Sequence, residues 1–172
     1  RQRQMCIRDR VHAEAVPVRV ANHDAAVARI SHLPHVLAET LAVVGDNGGI
    51  LAQSLAAGSF KDGTRVAGTR PDLVRQMCET NATALVTALD EAIELMQSAR
   101  DSLASDKPSI AELADAGYRA RTRIEARSGA RKESVSPVKI SSRPVLRLHP
   151  GAPNWVAQLR QTESLGGRIE IF

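Results

Sequence analysis

Apolar residues recur every three or four positions through the first two thirds of the chain, a pattern typical of amphipathic helices. A Val-rich, partly alternating stretch at 11–20 first predicts a strand or its tail. Asn22 then has the chemistry of an N-cap, with Asp24 in the first turn of the following helix. The helix is expected to end near Gly45, and its apolar stripe consists of Val27, Ile30, Leu33, Leu37, Leu41 and Val44.

Further helices are predicted downstream of this first one. Residues 49–58 read as a second, shorter helix, and residues 58–71 as a polar, Gly-punctuated connection. Pro71 fits the first turn of a third helix, and a longer fourth helix is expected after Asn81. The apolar stripe of the fourth helix consists of Leu85, Leu89, Ile93, Met96 and Leu103. It is too apolar for an isolated surface helix, so we expect it to pack within its own domain or against a second copy.

The last third of the chain has a different pattern. A fifth helix is expected from Pro108 to about Arg127, followed by a Ser/Lys/Pro-rich linker around 128–144. The segments VLRLH, APNWVAQLRQTESL and RIEIF then predict strand, helix and strand, with Gly166 ending the helix. The fold class predicted is therefore mainly α, with a small α/β tail at the C-terminus.

The charge distribution modifies the picture given by the formal net charge of +4. Residues 1–10, RQRQMCIRDR, hold four Arg and one Asp and resemble the translation of a sequencing adapter, so we expect an assembly scar. The rest of the chain is close to neutral. Neither a bilayer-spanning apolar run nor a signal peptide is found in the sequence, which favours the cytoplasm and no membrane partner. Outside the scar Cys78 is the one cysteine and is expected to be a small buried apolar residue.

A basic stretch between Arg119 and Arg147 contains nine Lys/Arg against two Glu. Such a run is most often solvated, and contact with the acidic part of the same chain is the next alternative. Nucleic acid is not expected as a partner, because aromatic residues for base stacking are nearly absent there. The sequence also lacks GxGxxG, P-loop and GxSxG patterns, so this chain has no evident means of holding a nucleotide.

Two histidines flank a proline inside the first predicted helix, in the segment Ser31-His32-Leu33-Pro34-His35. A proline in a helix interior costs about 3 kcal/mol and opens the preceding turn. Polar backbone would then be exposed beside His32 and His35, which share a helical face. Structural hydrogen bonding and lining of a substrate pocket are both compatible with this pair. A metal would need a third ligand, and we expect none.

The second candidate block is Phe60-Lys61-Asp62-Gly63-Thr64-Arg65, with Arg70 shortly after it. Arg65 presents a planar fork that matches a carboxylate, Lys61 adds positive field, and Asp62 could orient one of the cations. The alternative explanation is a solvated loop with local salt bridges. Composition favours neither a small-anion clamp nor a solvated loop.

The segments HDAAVARISHLPHVLAETL and AAGSFKDGTRVAGTRPDL, in this order, resemble the C-terminal helical domain of the prephenate dehydrogenase family. The resemblance covers residues 11–104, and the final LHPGAPNWVAQLRQTESLGGRIEIF is similar to the tails of actinobacterial members. It implies a helical dimerisation and substrate domain of the 6-phosphogluconate dehydrogenase C-terminal-like type. The domain division expected is a scar at 1–10, a remnant of a Rossmann domain or interdomain strand at 11–22, the helical domain at 23–106, a helix and basic linker at 107–142, and a small extension at 143–172.

The resemblance also implies a function and roles for residues. The family oxidises prephenate or arogenate with NAD or NADP in tyrosine biosynthesis, as a homodimer. Arg65 would bind a substrate carboxylate, with Lys61 and Asp62 as charged neighbours and Ser31, His32 and His35 lining or bracing the pocket. The family's catalytic His and Ser and its nucleotide loop would lie upstream, so no catalytic residue is assigned here and this chain alone is expected to be inactive. The alternative is a stand-alone helical dimerisation or small-anion-binding module without catalytic activity.

Overall fold

The computed structural model of the chain describes residues 15–128, 143–149 and 151–171. These residues form two compact units. One is the continuous helical segment 20–110, and the other combines the chain before residue 20 with the chain after residue 110.

The helical unit consists of short and long helices joined by tight connections. In chain order these are α1 (Val20–Val27), a π-helical turn (Ala28–His32), α2 (Leu33–Asp46), α3 (Gly49–Ser54), α4 (Gly58–Thr64), a 3₁₀ turn (Arg65–Gly68), α5 (Pro71–Thr80) and α6 (Ala82–Leu103). The third helix predicted from Pro71 and the fourth predicted after Asn81 are confirmed as α5 and α6. The second predicted helix is confirmed as α3, although it ends earlier than expected.

The first predicted helix is interrupted just before Pro34, where the sequence predicts an opened turn. The N–H of Leu33 donates to the carbonyl oxygen of Ala28, five residues back, and Pro34 then lies in the first turn of α2. Because a proline lacks an N–H and its ring opposes the carbonyl four residues earlier, a widened turn before Pro34 relieves both conflicts. The helix also begins at Val20, so the prediction of Asn22 as its N-cap is wrong.

Two further predictions for this half of the chain need correction. Residues 15–19, the described part of the strand predicted at 11–20, are not a strand. The connection predicted at 58–71 is mostly helical, because α4 and the 3₁₀ turn occupy residues 58–68. Residues 11–14 lie outside the described residues.

Small side chains form the centre of the helical unit. Ala28, Ala38, Leu85 and Ala88 are buried, and they belong to the π-turn, α2 and α6, which contact one another. With aromatics at only 2% of the sequence, close approach of the helices takes the place of large core side chains. Much of the predicted apolar stripe stays exposed in the single chain, including Ile30.

The second unit contains α7 (Ala111–Ser128), β1 (Val145–Leu148), α8 (Trp155–Ser164) and β2 (Arg168–Ile171). The predicted strand, helix and strand are confirmed, and the two strands pair in parallel with Val145 opposite Arg168. Gly166 ends α8 with a φ of +62°, the left-handed conformation that glycine adopts at low cost. The linker predicted around 128–144 lies almost wholly outside the described residues.

The segment before α1 is held to this C-terminal tail. The carbonyl oxygen of Ala15 accepts a hydrogen bond from the Ile169 N–H at 2.9 Å. Glu163 accepts one bond from the backbone N–H of Arg19 and one from its Nε, each at 2.9 Å. The start and the end of the described chain therefore belong to one unit. None of the described helices is both long enough and apolar enough to cross a bilayer.

Candidate functional site

His32 lies at the end of the π-turn and is only 8% exposed. Its Nδ1 lies 3.3 Å from Nδ2 of the Asn81 side-chain amide. The same Asn81 nitrogen donates to the backbone oxygen of Asp24 at 2.9 Å. Asn81 therefore joins α1, the π-turn and the start of α6 at one point.

The neighbours of His32 in the predicted cluster face different surroundings. The Ser31 hydroxyl lies 3.9 Å from the Met77 sulfur of α5, a weak contact in a half-buried position. His35 is also half-buried, and its Nδ1 is shut off from solvent without a hydrogen-bond partner among the described residues. A buried polar atom of this kind is uncommon and indicates a position where a ligand or water could bind.

The block from Phe60 to Arg65 runs antiparallel along α2. The ring of Phe60 lies directly against Gly45, and Leu41 Cδ2 lies 2.9 Å from where a Cβ on Gly63 would be. The 3₁₀ turn that begins at Arg65 also packs against α2. Because residues 60 and 63 pair with positions progressively nearer the start of α2, the chain carries Arg65 toward the end of the helix that holds His35.

The three charged residues of this block are exposed and make no ion pair with any residue that the structure describes. The sequence predicts that Asp62 could orient one of the two cations, but it makes no ion pair with Lys61 or Arg65. The local salt bridges of the alternative explanation are absent from residues 60–65, although Arg70 pairs with Asp72. Arg65 is a surface guanidinium whose donors are available to a ligand.

Arg70, five residues further on, differs from Arg65 because it forms an ion pair within the chain. Its Nε donates to Asp72 Oδ1 at 3.1 Å, and its Nη2 pairs with the other carboxylate oxygen. The Arg70 guanidinium holds the pKa of Asp72 below its ordinary value, and the Asp72 carboxylate raises the pKa of Arg70. Arg70 is thus already paired with a carboxylate of the chain, whereas Arg65 is not.

Asn81 is the functional candidate that sequence reasoning did not identify. An asparagine directly before a helix is ordinarily explained as an N-cap, so the sequence pattern marks Asn81 only as a helix boundary. The pattern contains no local signal for its contacts, since Asp24 and His32 are 57 and 49 residues away in sequence.

A separate cavity lies near the opposite end of α2. It has a volume of about 320 Å³ and is mostly apolar, and a 2.6 Å hydrogen bond from Gln53 to Asp46 crosses its lining. The lining residues are Ala42, Gly45, Asp46, Ala52, Gln53, Leu55, Ala56 and Phe60. None of the predicted site residues lines it, so its volume does not define the site around His32.

Within the described residues, no group of three or more His, Cys, Asp or Glu side chains is arranged to hold a metal ion. Cys78 is half-buried, and burial, followed by the neighbouring Glu79 carboxylate, raises the pKa of its thiol. The connection from β1 to α8 reads HPGAPN and lacks the glycine pattern of a dinucleotide-binding turn. This strand-to-helix connection is therefore not of the dinucleotide-binding type.

Comparison with known proteins gives the class of this chain. Residues 19–107 match the family model described as prephenate dehydrogenase, dimerization domain. A cyclohexadienyl dehydrogenase of Zymomonas mobilis is 39% identical over 90 residues, which cover 49% of this chain and 30% of that protein. The helical unit is thus of the type described by this dimerization-domain family.

Solved structures extend the likeness beyond the helical unit. A candidate prephenate dehydrogenase of Corynebacterium glutamicum is 62% identical with a TM-score of 0.84, covering 93% of this chain and 46% of that one. The arogenate dehydrogenase of Synechocystis is 26% identical with a TM-score of 0.60, covering 72% and 48%. This chain belongs to the prephenate dehydrogenase family, and it spans about half the length of these solved relatives. The resemblance and the mainly helical fold predicted from the sequence are confirmed.

Proposed function

We propose that this chain is the C-terminal part of a prephenate or arogenate dehydrogenase of tyrosine biosynthesis, and that Arg65 binds a carboxylate of the substrate. The observation that carries the proposal is the unpaired guanidinium of Arg65, on a turn that packs against the helix of His35. A dianionic substrate requires fixed cations that no protein carboxylate has already neutralised. Family membership supports the same reaction class.

In the proposed reaction the substrate loses a hydride to NAD or NADP and its ring carboxylate leaves as carbon dioxide. By analogy with the family, we assign binding of the dinucleotide, along with the catalytic His and Ser, to a segment outside this chain. The contribution of this chain is to bind and orient the substrate, with Lys61 and Asp62 near Arg65, with Ser31 and His32 on the π-turn, and with His35 on α2.

The homodimer is a further part of the proposal. The matching family model is described as a dimerization domain, and the helical unit exposes many large apolar side chains in the single chain. We also propose that this part of the full-length protein divides into the segments expected from the sequence, at 11–22, 23–106, 107–142 and 143–172.

The test uses the full-length gene product and follows reduction of the nicotinamide cofactor with prephenate or arogenate. Arg65→Ala removes charged hydrogen bonds with a net value of about 1.5–3 kcal/mol, so KM should rise about 10- to 150-fold with a smaller change in kcat. Arg70→Ala is the matched control, because Asp72 already pairs with that arginine. Unchanged KM and kcat in Arg65→Ala, or equal effects in both variants, would disprove the assigned role.

A stand-alone module that binds a small anion without catalysis would present the same free guanidinium. The DNA upstream of the codon for Val11 separates the two functions. A reading frame that continues through a glycine-rich Rossmann turn and a later histidine supports the dehydrogenase. A stop codon followed by a start codon just upstream of Val11 supports the module.

A further inference from the structure

Asn81 occupies the N-cap position of α6 but does not cap it. No hydrogen bond joins its side chain to the first turn of the helix. A side-chain N-cap is typically worth about 1 kcal/mol, and asparagine is among the residues that provide it best. The amide instead points back to Asp24 and His32. A favourable local interaction has therefore been exchanged for one between distant parts of the chain.

The direction of the Asn81 amide follows from its partners. The backbone oxygen of Asp24 can only accept, so the group 2.9 Å away must be the NH₂ of Asn81 and not its oxygen. The same nitrogen lies 3.3 Å from His32 Nδ1. Since that nitrogen is a donor, Nδ1 must act as the acceptor, and in a neutral imidazole the hydrogen is then on Nε2.

The opposite edge of the ring remains available. His32 Nε2 has no hydrogen-bond partner among the residues that the structure describes, and it is not among the side-chain atoms sealed from solvent. The whole His32 residue is 8% exposed. Nδ1 is therefore held inside the helical unit by Asn81, and Nε2 is the ring nitrogen that remains available to a ligand.

We infer that Asn81 is a positioning residue that holds His32 in the Nε2–H tautomer, so that His32 presents an N–H donor to an oxygen atom of the bound substrate. The substrate part of this inference rests on the proposed function. A carboxylate, carbonyl or hydroxyl oxygen can accept from Nε2–H, whereas an ammonium group cannot.

The backbone of Asn81 is itself fixed, which makes it suitable for this role. Its carbonyl oxygen accepts from the N–H of Leu85 at 3.0 Å, and Leu85 is one of the buried core residues of α6. α6 also contacts both α1 and the π-turn. The amide is thus anchored on the core helix while it restrains the ring at the end of the π-turn.

The direct test is ¹⁵N-histidine NMR on the 172-residue chain, with the His32 signals assigned by their loss in His32→Gln. In the wild-type chain, the ¹⁵N chemical shift of Nδ1 should be that of an unprotonated imidazole nitrogen, and the shift of Nε2 that of a protonated one. In Asn81→Asp the carboxylate accepts, so the hydrogen should move to Nδ1. Asn47→Asp, at an exposed position after α2, makes the same chemical change elsewhere and should leave the pattern unchanged.

A protonated Nδ1 in the wild-type chain overturns the inference, whether or not Asn81→Asp folds. An unchanged tautomer in a folded Asn81→Asp variant overturns it as well. Neither result depends on whether the protein is a dehydrogenase, so failure of the proposed function would be recognised separately by absent turnover in the full-length protein.

The kinetic test applies to the full-length enzyme. Asn81→Asp should lower kcat/KM by roughly tenfold, mainly through KM, because a hydrogen bond from His32 to the substrate is worth about 1–2 kcal/mol. Asn47→Asp should retain the wild-type values. If Asn81→Asp shifts the tautomer but leaves KM and kcat unchanged, His32 does not donate to the substrate.

Discussion

Single glycines decide how closely α4 approaches α2. A Cβ on Gly45 would overlap the ring of Phe60, and a Cβ on Gly63 would lie 2.9 Å from Leu41 Cδ2. Both glycines therefore serve contact between helices and not backbone flexibility. Since this contact directs the chain toward Arg65, the position of the candidate anion-binding residue depends on it.

Replacing Gly45 by alanine should destabilise the helical unit, although alanine is the better helix former. Overpacking against Phe60 costs about 1–3 kcal/mol, while the gain in helix propensity is at most about 1 kcal/mol. Urea denaturation should show a net loss of about 1 kcal/mol, from a central overpacking cost of about 2 kcal/mol less the propensity gain of about 1 kcal/mol, and adding Phe60→Leu should partly restore it. Gly68→Ala, where a Cβ would meet nothing within 4 Å, is the control. Equal stability of Gly45→Ala and wild type would contradict the packing argument.

The limits of sequence reasoning are also visible at individual residues. His32, His35 and Arg65 could be selected because their chemistry and spacing are unusual within a helical pattern. Asn81 could not, because capping explains an asparagine before a helix, and the direction of its amide depends on an oxygen and a ring nitrogen from α1 and the π-turn. The absent pairing of Asp62 is likewise a matter of side-chain direction, which the segment Lys61-Asp62 does not encode.

Among the elements, the π-turn explains how α1 and α2 accommodate a proline. The interruption could be predicted because Pro34 cannot donate a hydrogen bond. The helical state of residues 58–68 could not, since Gly58 and Gly63 lower helix propensity and favour a connection. Contact with α2 overrides that local preference, and Gly63 fits because the helices meet there.

Pro34→Ala distinguishes a tolerated proline from a strained one. A proline in a regular helix interior costs about 3 kcal/mol, so its removal would stabilise the protein by a similar amount. In the first turn, where the structure places Pro34, the ring mainly restricts the unfolded chain, and its removal should cost about 0.4–1 kcal/mol. Pro71→Ala, in the first turn of α5, should behave alike in the same denaturation experiment. Stabilisation of Pro34→Ala by more than about 1 kcal/mol would refute the π-turn explanation.

For the whole molecule, the fold class followed from periodicity because helix and strand patterns differ in their repeat of apolar positions. The strand, helix and strand after residue 143 were predicted for that reason, and parallel pairing follows from the helical crossover. How much of each apolar stripe is buried could not be predicted. A stripe looks the same in sequence whether its own chain or a second copy covers it, and Ile93 and Met96 of α6 remain exposed in the single chain.

The most exposed apolar cluster of the helical unit is on and beside α3, where Ile50 is 85% exposed and Leu51 and Leu55 are each 70% exposed. A stable dimer buries roughly 800 Å² on each partner, and apolar side chains form the centre of such interfaces. We therefore expect the double variant Ile50→Lys and Leu51→Lys to shift the proposed homodimer toward monomer, because burying lysine charges is unfavourable. Size-exclusion chromatography with light scattering measures this directly. Tyr118→Lys, at an exposed position of α7 outside the helical unit, should leave the mass unchanged. A dimer that persists unaltered in the α3 variant would show that another face of the helical unit forms the interface.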